Sequence, residues 1–178
     1  MSYLKIFRRY LKETSGLAAV EFSFILPIML LLLIGLVEVY DVIDARRRVT
    51  SIASTVGDLT ARAKVLDDED VNNIFTAARA ILEPLSSDDI KIRLTSISVN
   101  LDDTRVVGWS DAYQQVALTP GDPYALPDDI GQPGGSIIVS EVELEHQSIL
   151  GIMFKTPFDF TDTFYAKPRL TLRVNRVN

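Results

Sequence analysis

Glu21 stands five residues after Gly16, in the first turns of an otherwise apolar run. A carboxylate inside hydrocarbon is costly and normally has a partner. Close to a helix N-terminus negative charge is favoured, which suits an ionic pairing role. The alternative is a hydrated carboxylate at the headgroup boundary with no role. The chemistry alone leaves both open.

Other reactive residue types are sparse. His146 is the single histidine and lies at the end of an apolar strand face. It reads as packed or capping rather than catalytic. Without cysteine there is no thiol nucleophile and no Cys-type zinc site. Neither a phosphate-binding glycine loop nor a Gly-x-Ser-x-Gly elbow is present. The acids of Asp67-Asp68-Glu69-Asp70 read as the start of a helix rather than a metal cluster. Asp122, Asp128 and Asp129 share a loop, but their spacing is not that of an EF-hand and they read as solvated. No catalytic, cofactor-binding or metal-binding residue is assigned, no cofactor is expected, and the chain reads as no enzyme. The net charge of −6 argues against a nucleic-acid partner.

The element that must carry Glu21 is a membrane helix. Residues 17–37 are apolar or small except for Glu21, Ser23 and Pro27. As a helix they span roughly 31 Å, the hydrocarbon thickness of a bilayer. Lys5, Arg8, Arg9 and Lys12 precede them against Glu13 alone, which gives the leader +3 and leaves −9 for the rest. Short basic flanks stay in the cytoplasm, so the N-terminus is expected inside and the C-terminal part outside. Arg46-Arg47-Arg48 weakens that asymmetry without removing it. The apolar core is long for a secretory signal, and no Ala-x-Ala follows it. A plain uncleaved anchor remains possible and leaves Glu21 unexplained. Pro27 removes a backbone donor, so a kink or local unwinding is expected there.

The order of basic leader, Gly16, four small or apolar residues, Glu21, aromatic Phe22 and a long apolar run resembles the class III signal of type IV pilins and pseudopilins. The wider pattern AAVEFSFILPIMLLLLIGLVEVYD is similar to the TadE-like branch of the tight-adherence (Flp) pilus system, with Pro27 and Glu38 in that branch's helix-proline and outer-acid places. SIIVSEVELEHQSILG and YAKPRLTLRV also resemble its late strands. Two departures are Phe22, where major Flp pilins usually have tyrosine, and a greater length. Both favour a minor pilin or pseudopilin. The resemblance implies that a prepilin peptidase cuts between Gly16 and Leu17, which makes Glu21 the fifth residue. The new Leu17 amine then lies one turn from Glu21, for pairing within the chain or between neighbours. It further implies residence in the bacterial inner membrane or the pilus, with other pilin and pseudopilin subunits as partners.

Beyond the membrane the helix continues. Val42, Ala45, Val49, Ile52, Val56, Leu59, Ala63 and Leu66 recur at alternating intervals of three and four. This stripe is expected to pack on the protein's own sheet, a two-chain coiled coil being the alternative. Gly57 within it marks a close approach. A second amphipathic helix carries Val71, Ile74, Phe75, Ala78, Ile81 and Leu82, and ends at Pro84.

The remainder reads as sheet. Ile90, Ile92 and Leu94 alternate with Lys91 and Arg93; the apolar phase then moves to Ile97, Val99 and Leu101, which suggests a bulge near Thr95. Residues 104–109 form the return strand, and residues 119–135 a long exposed loop. Glu141, Glu143 and Glu145 alternate with Val142, Leu144 and His146, and Arg169 and Arg173 with Leu170, Leu172 and Val174. Opposite charges across a strand pair stabilise it. The acidic strand is therefore expected at the centre, between strands 90–94 and 169–174, with the apolar faces on the helix.

The fold class is α+β and pilin-like. The expected order is a basic leader (1–16, removed), a transmembrane helix (17–37), its amphipathic extension (38–66) and an extracytoplasmic domain (67–178). The leading function is structural, with a membrane-anchored binding module as the alternative.

Overall fold

The computed structural model describes residues 15–127 and 129–177. Residues 1–14 of the expected leader (1–16), Asp128 and Asn178 lie outside the described residues. The chain is α+β: helix α1 (Ser15–Ala61), strand β1 (Val65–Leu66), helix α2 (Asp68–Leu82), then β2 (Ile90–Val99), β3 (Arg105–Tyr113), β4 (Ser136–His146), β5 (Phe158–Ala166) and β6 (Asn175–Arg176). Four strands form an antiparallel sheet in the order β3-β2-β4-β5.

At about 1.5 Å per residue, the 47 residues of α1 extend roughly 70 Å. Its first half is bare, and its second half lies on the sheet. The expected stripe is buried at Ala45, Val49, Ile52 and Val56, but Leu59 is 40% exposed and Ala53 and Thr60 are buried instead. A straight helix of 3.6 residues per turn drifts by about 20° per heptad, so a 3.5-residue stripe rotates off the sheet. Thr60 is tolerated in the core because its hydroxyl donates to the Val56 carbonyl at 2.8 Å.

The α2 N-terminus, expected from its acids, is closed by a capping box. The Asp70 N–H donates to Asp67 Oδ1 at 2.8 Å, and the Asp67 N–H returns to Asp70 Oδ2. Val71, Ile74, Phe75, Ala78 and Leu82 face the core. At its far end, Arg48 of α1 donates to the Ile81 carbonyl at 2.9 Å, which satisfies a helix-end acceptor.

β4 is central, as its charges required. Arg93 lies opposite Glu141 with Nε 2.6 Å from Oε2, and Lys91 opposite Glu143 at 3.8 Å. Ile90, Ile92, Leu94, Ile138, Val142 and Leu144 share one core with α1 and α2. The second flank differs from expectation: β5, not 169–174, pairs with β4. β5 brings Phe158 and Phe160 against the core, and burying two aromatic rings outweighs the exposed charge pairs the alternative offered. Asp159 even lies opposite Glu145. Leu170 and Leu172 are exposed, and of the three apolar positions in that segment only Val174 is buried. The segment instead crosses the molecule, with the Leu172 carbonyl accepting from the Ser136 N–H and the Val174 carbonyl from Trp109 Nε1. It ends in β6, parallel to β1, where Arg176 bonds Asp111 and Asp68.

The phase change in β2 has a different cause from the one expected. β2 keeps unbroken register with β4 from Ile90 to Ser98. Ile97 and Val99 instead serve a second core on the opposite face, with Val107, Leu126, Ile137 and Val139. The register shift does fall close by, at Ser96/Ile97, but the extra residue is Gly108 on β3. A Cβ there would stand 3.0 Å from Ser98 Oγ. Leu101 lies beyond both cores and is exposed. The 119–135 segment, expected as an exposed loop, covers this second core with Leu126, Tyr124 and Ile130. It also hydrogen-bonds to β3: the Val107 N–H donates to Asp122 O and the Tyr124 N–H to Arg105 O. That occupies an edge which would otherwise present free donors and acceptors. Burial, with Glu141 next, pushes the Tyr124 phenol up to about 12.

Gly57 is the close approach its position suggested. A Cβ there would stand 2.7 Å from Phe164 Cδ1 on β5 and 3.6 Å from Ser140 Cβ on β4. Gly57→Leu should destabilise the detergent-solubilised chain by about 1–3 kcal/mol in chemical denaturation. Adding Phe164→Ala should recover part of that loss, with a coupling of about 0.5 kcal/mol or more. Strict additivity of the two changes would refute the contact as the constraint.

Candidate functional site

Two parts of α1 carry its polar exceptions. The inner part begins at Ser15, so Gly16 and Leu17 lie in the first helical turn. Leu17, Glu21 and Phe22 are all exposed on the bare helix. The helix runs unbroken through Pro27. No sheet residue approaches this half, so the structure gathers these positions on one unpartnered helix rather than in a pocket. It is the one helix among the described residues long and apolar enough to cross a membrane.

The outer part is where the head domain meets that helix. Glu38 directly follows the apolar stretch and is fully buried. Its carboxylate accepts from three consecutive backbone N–H groups of the β4–β5 loop. Ile152 N donates to Oε1 at 2.7 Å, Phe154 N to Oε2 at 2.8 Å, and Met153 N reaches both oxygens at 3.1 and 3.0 Å. Consecutive N–H groups converging on one anion form a nest. Gly151, at φ +58°, opens the turn that aims them. Burying a carboxylate costs several kcal/mol, and charge-assisted bonds of this length offset that cost.

One turn further on, Asp41 accepts from His146 Nε2 at 2.9 Å and from the Ile149 N–H at 3.2 Å. Both side chains are buried, and the His146 ring stacks on Phe160. His146 is thus packed and bonded, as its place on the strand face suggested. Between them, the two carboxylates tie the end of β4 and the following loop to the helix. Below Glu38, a Cβ on Gly35 would stand 2.8 Å from Met153 Sδ, so the glycine lets the loop lie directly on the helix.

Sequence reasoning placed Glu38 at the outer end of the membrane helix but did not see what it binds. A signal was present. Counting back from Ile52, Val49 and Ala45 at helical spacing reaches Asp41 and Glu38, two acids on the core-facing stripe. Acids on a buried stripe need donors, and the partner here is backbone, which leaves no mark in side-chain identity. Among the described residues no group of three His, Asp or Glu could hold a metal ion.

Glu38→Ala removes the acceptor for three loop amides. The Ile152, Met153 and Phe154 amides should then lose about 1.5–3 kcal/mol of hydrogen-exchange protection. Glu38→Gln, which keeps the shape and one acceptor oxygen, should lose less. The amides of β2 should change little in either variant. Unchanged protection at Ile152–Phe154 in Glu38→Ala would remove the clasp from the account.

A model of the TadE-like protein family matches residues 16–58. No curated protein and no solved structure matches the chain. The matched stretch starts at the glycine, takes in Glu21, Pro27, Glu38 and Asp41, and ends on the part of α1 that packs on the sheet. Over residues 16–58, and so along α1, this chain is similar to the TadE-like protein family.

Proposed function

We propose that the chain is a minor pilin or pseudopilin of a bacterial tight-adherence (Flp-type) pilus, acting structurally in assembly or at the fibre tip. The observation that carries this reading is the single helix with two halves. One half is apolar and bare, and the other is clamped to the β4–β5 loop through Glu38 and to the end of β4 through Asp41. A subunit that moves from a bilayer into a fibre needs such a rigid joint between its anchor and its head.

In this reading residues 17–37 cross the inner membrane with the N-terminus in the cytoplasm and the head in the periplasm. A prepilin peptidase removes residues 1–16. The new α-amino group at Leu17 pairs with Glu21, its own or that of a neighbouring subunit. Phe22 belongs to the same recognition segment. Pro27 frees the carbonyl of Ser23 one turn earlier, an acceptor that a neighbouring helix can satisfy. The partners are other pilin and pseudopilin subunits. The bare first half of α1 is the surface they share, in place of lipid.

Processing tests the reading. In cells with an active prepilin peptidase, mass spectrometry should find the mature chain starting at Leu17, and Gly16→Arg should block cleavage. An intact N-terminus would leave a plain membrane-anchored binding module instead.

Glu21→Ala should insert into the membrane at least as well as wild type, because a costly charge is gone. Its crosslinking to partner pilins within the membrane should nevertheless fall. Equal crosslinking yields would reduce Glu21 to an interfacial charge without a role.

A further inference from the structure

The β4–β5 loop exposes more apolar surface than its position in a water-facing head allows. Ile149, Leu150, Ile152 and Met153 are 75%, 46%, 56% and 51% exposed, four large apolar side chains within five residues. Their place on the molecule explains them. Met153 lies on Gly35, inside the apolar stretch 17–37, so the loop reaches below the end of that stretch. About one to two turns further along the helix, beside the same loop's contacts at Glu38 and Asp41, Val39, Tyr40 and Ile43 are exposed too. The apolar girdle of the helix therefore continues sideways onto the loop.

We propose that this loop is a second membrane contact, with Ile149, Leu150, Ile152 and Met153 inserted into the leaflet nearest the head domain. The proposal rests on the reading that residues 17–37 span the bilayer. Lipid is the occupant because the patch is continuous with the surface of the spanning helix and lies at its level. The backbone chemistry agrees. Irregular backbone near hydrocarbon is tolerated only where its polar groups are satisfied. Here the N–H groups of Ile152, Met153 and Phe154 turn inward to Glu38, and that of Ile149 to Asp41. The two buried acids take the polar edge of the loop and leave its side chains for lipid. Lys155, exposed directly after the apolar set, is placed to reach the headgroups. Tyr40 is the aromatic that interfaces favour. Insertion of this kind is shallow, roughly 5–10 Å into the headgroup and acyl boundary.

The natural chain has no cysteine, so single-site labelling is clean. Full-length Ile152→Cys, carrying an environment-sensitive nitrobenzoxadiazole label, is reconstituted in phosphatidylethanolamine–phosphatidylglycerol vesicles. The lipids carry a nitroxide either near the carbonyl or near the chain end. Ile28→Cys, in the middle of the apolar stretch, reports on the helix. Leu101→Cys, exposed in the β2–β3 turn at the distal end of the sheet, reports water. The label at Ile152 should emit to the blue of that at Leu101 and lose most fluorescence to the shallow nitroxide. The label at Ile28 should lose most to the deep one, and that at Leu101 little to either. If Ile152 behaves like Leu101 while Ile28 is quenched, the helix spans and the loop proposal alone falls. If Ile152 is shielded from aqueous iodide yet not quenched by lipid nitroxide, a second protein surface covers the loop and the proposal is overturned. If Ile28 is not quenched, the spanning reading fails and the loop proposal falls with it.

Discussion

Glu38, the deeper of two buried carboxylates on α1, joins the apolar helix to the head. Glu38 is the first residue past the apolar stretch, and the three N–H groups it accepts come from more than a hundred residues later in the chain. Those donors leave water only when the loop lies on the helix, and the carboxylate leaves water only when the donors are there. Neither burial is affordable alone, so the contact forms as a unit or not at all. The Asp41–His146 pair repeats the arrangement one turn outward and extends it to the end of β4. The direction of the apolar helix is thereby coupled to the direction of the central strand.

Above that joint the head is built from two thin cores on opposite faces of one sheet. The larger lies between the sheet and the two helices, and the smaller beneath the 119–135 segment. β2 and β4 contribute to both faces, which is why their burial is nearly continuous along parts of their length. The C-terminal residues act as a strap. They run from the Ala61 carbonyl at the end of α1, past Ser136 and Trp109, to the short parallel pair with β1. Arg176 ends the strap by bonding acids from β3 and from the start of α2, which draws its guanidinium pKa further upward. A chain without disulfides closes its ends in this way by hydrogen bonds and ion pairs.

These features make the apolar helix and the head move together. The bare helix offers a surface for lipid or for like helices, and the clamp transmits its orientation to the sheet. The glycines at the two close approaches, Gly35 under Met153 and Gly57 under Phe164, let the head sit directly on the helix along its whole outer half. The chemistry at both carboxylates is positional: they hold backbone and a histidine in place.

What could be read from the sequence was local or strictly pairwise. The helix over the apolar stretch 17–37 follows from its length and apolarity. The α2 start follows from a run of acids, which a helix N-terminus favours, and the β2–β4 pairing from complementary charges at period two. The choice of the fourth strand was not legible. Segments 158–166 and 169–174 both alternate, and only the competition for the free edge of β4 decides between them. Three-dimensional packing decides it for the segment with aromatic rings to bury, even at the cost of placing Asp159 opposite Glu145, because exposed charges are well hydrated and repel weakly. The second core was hidden for a related reason: a loop rich in proline, glycine and aspartate reads as solvent-exposed until a sheet face lies beneath it. The partner of Glu38 was hidden most completely. Backbone N–H groups are the same at every residue except proline, and only the fold determines which three of them converge on one carboxylate.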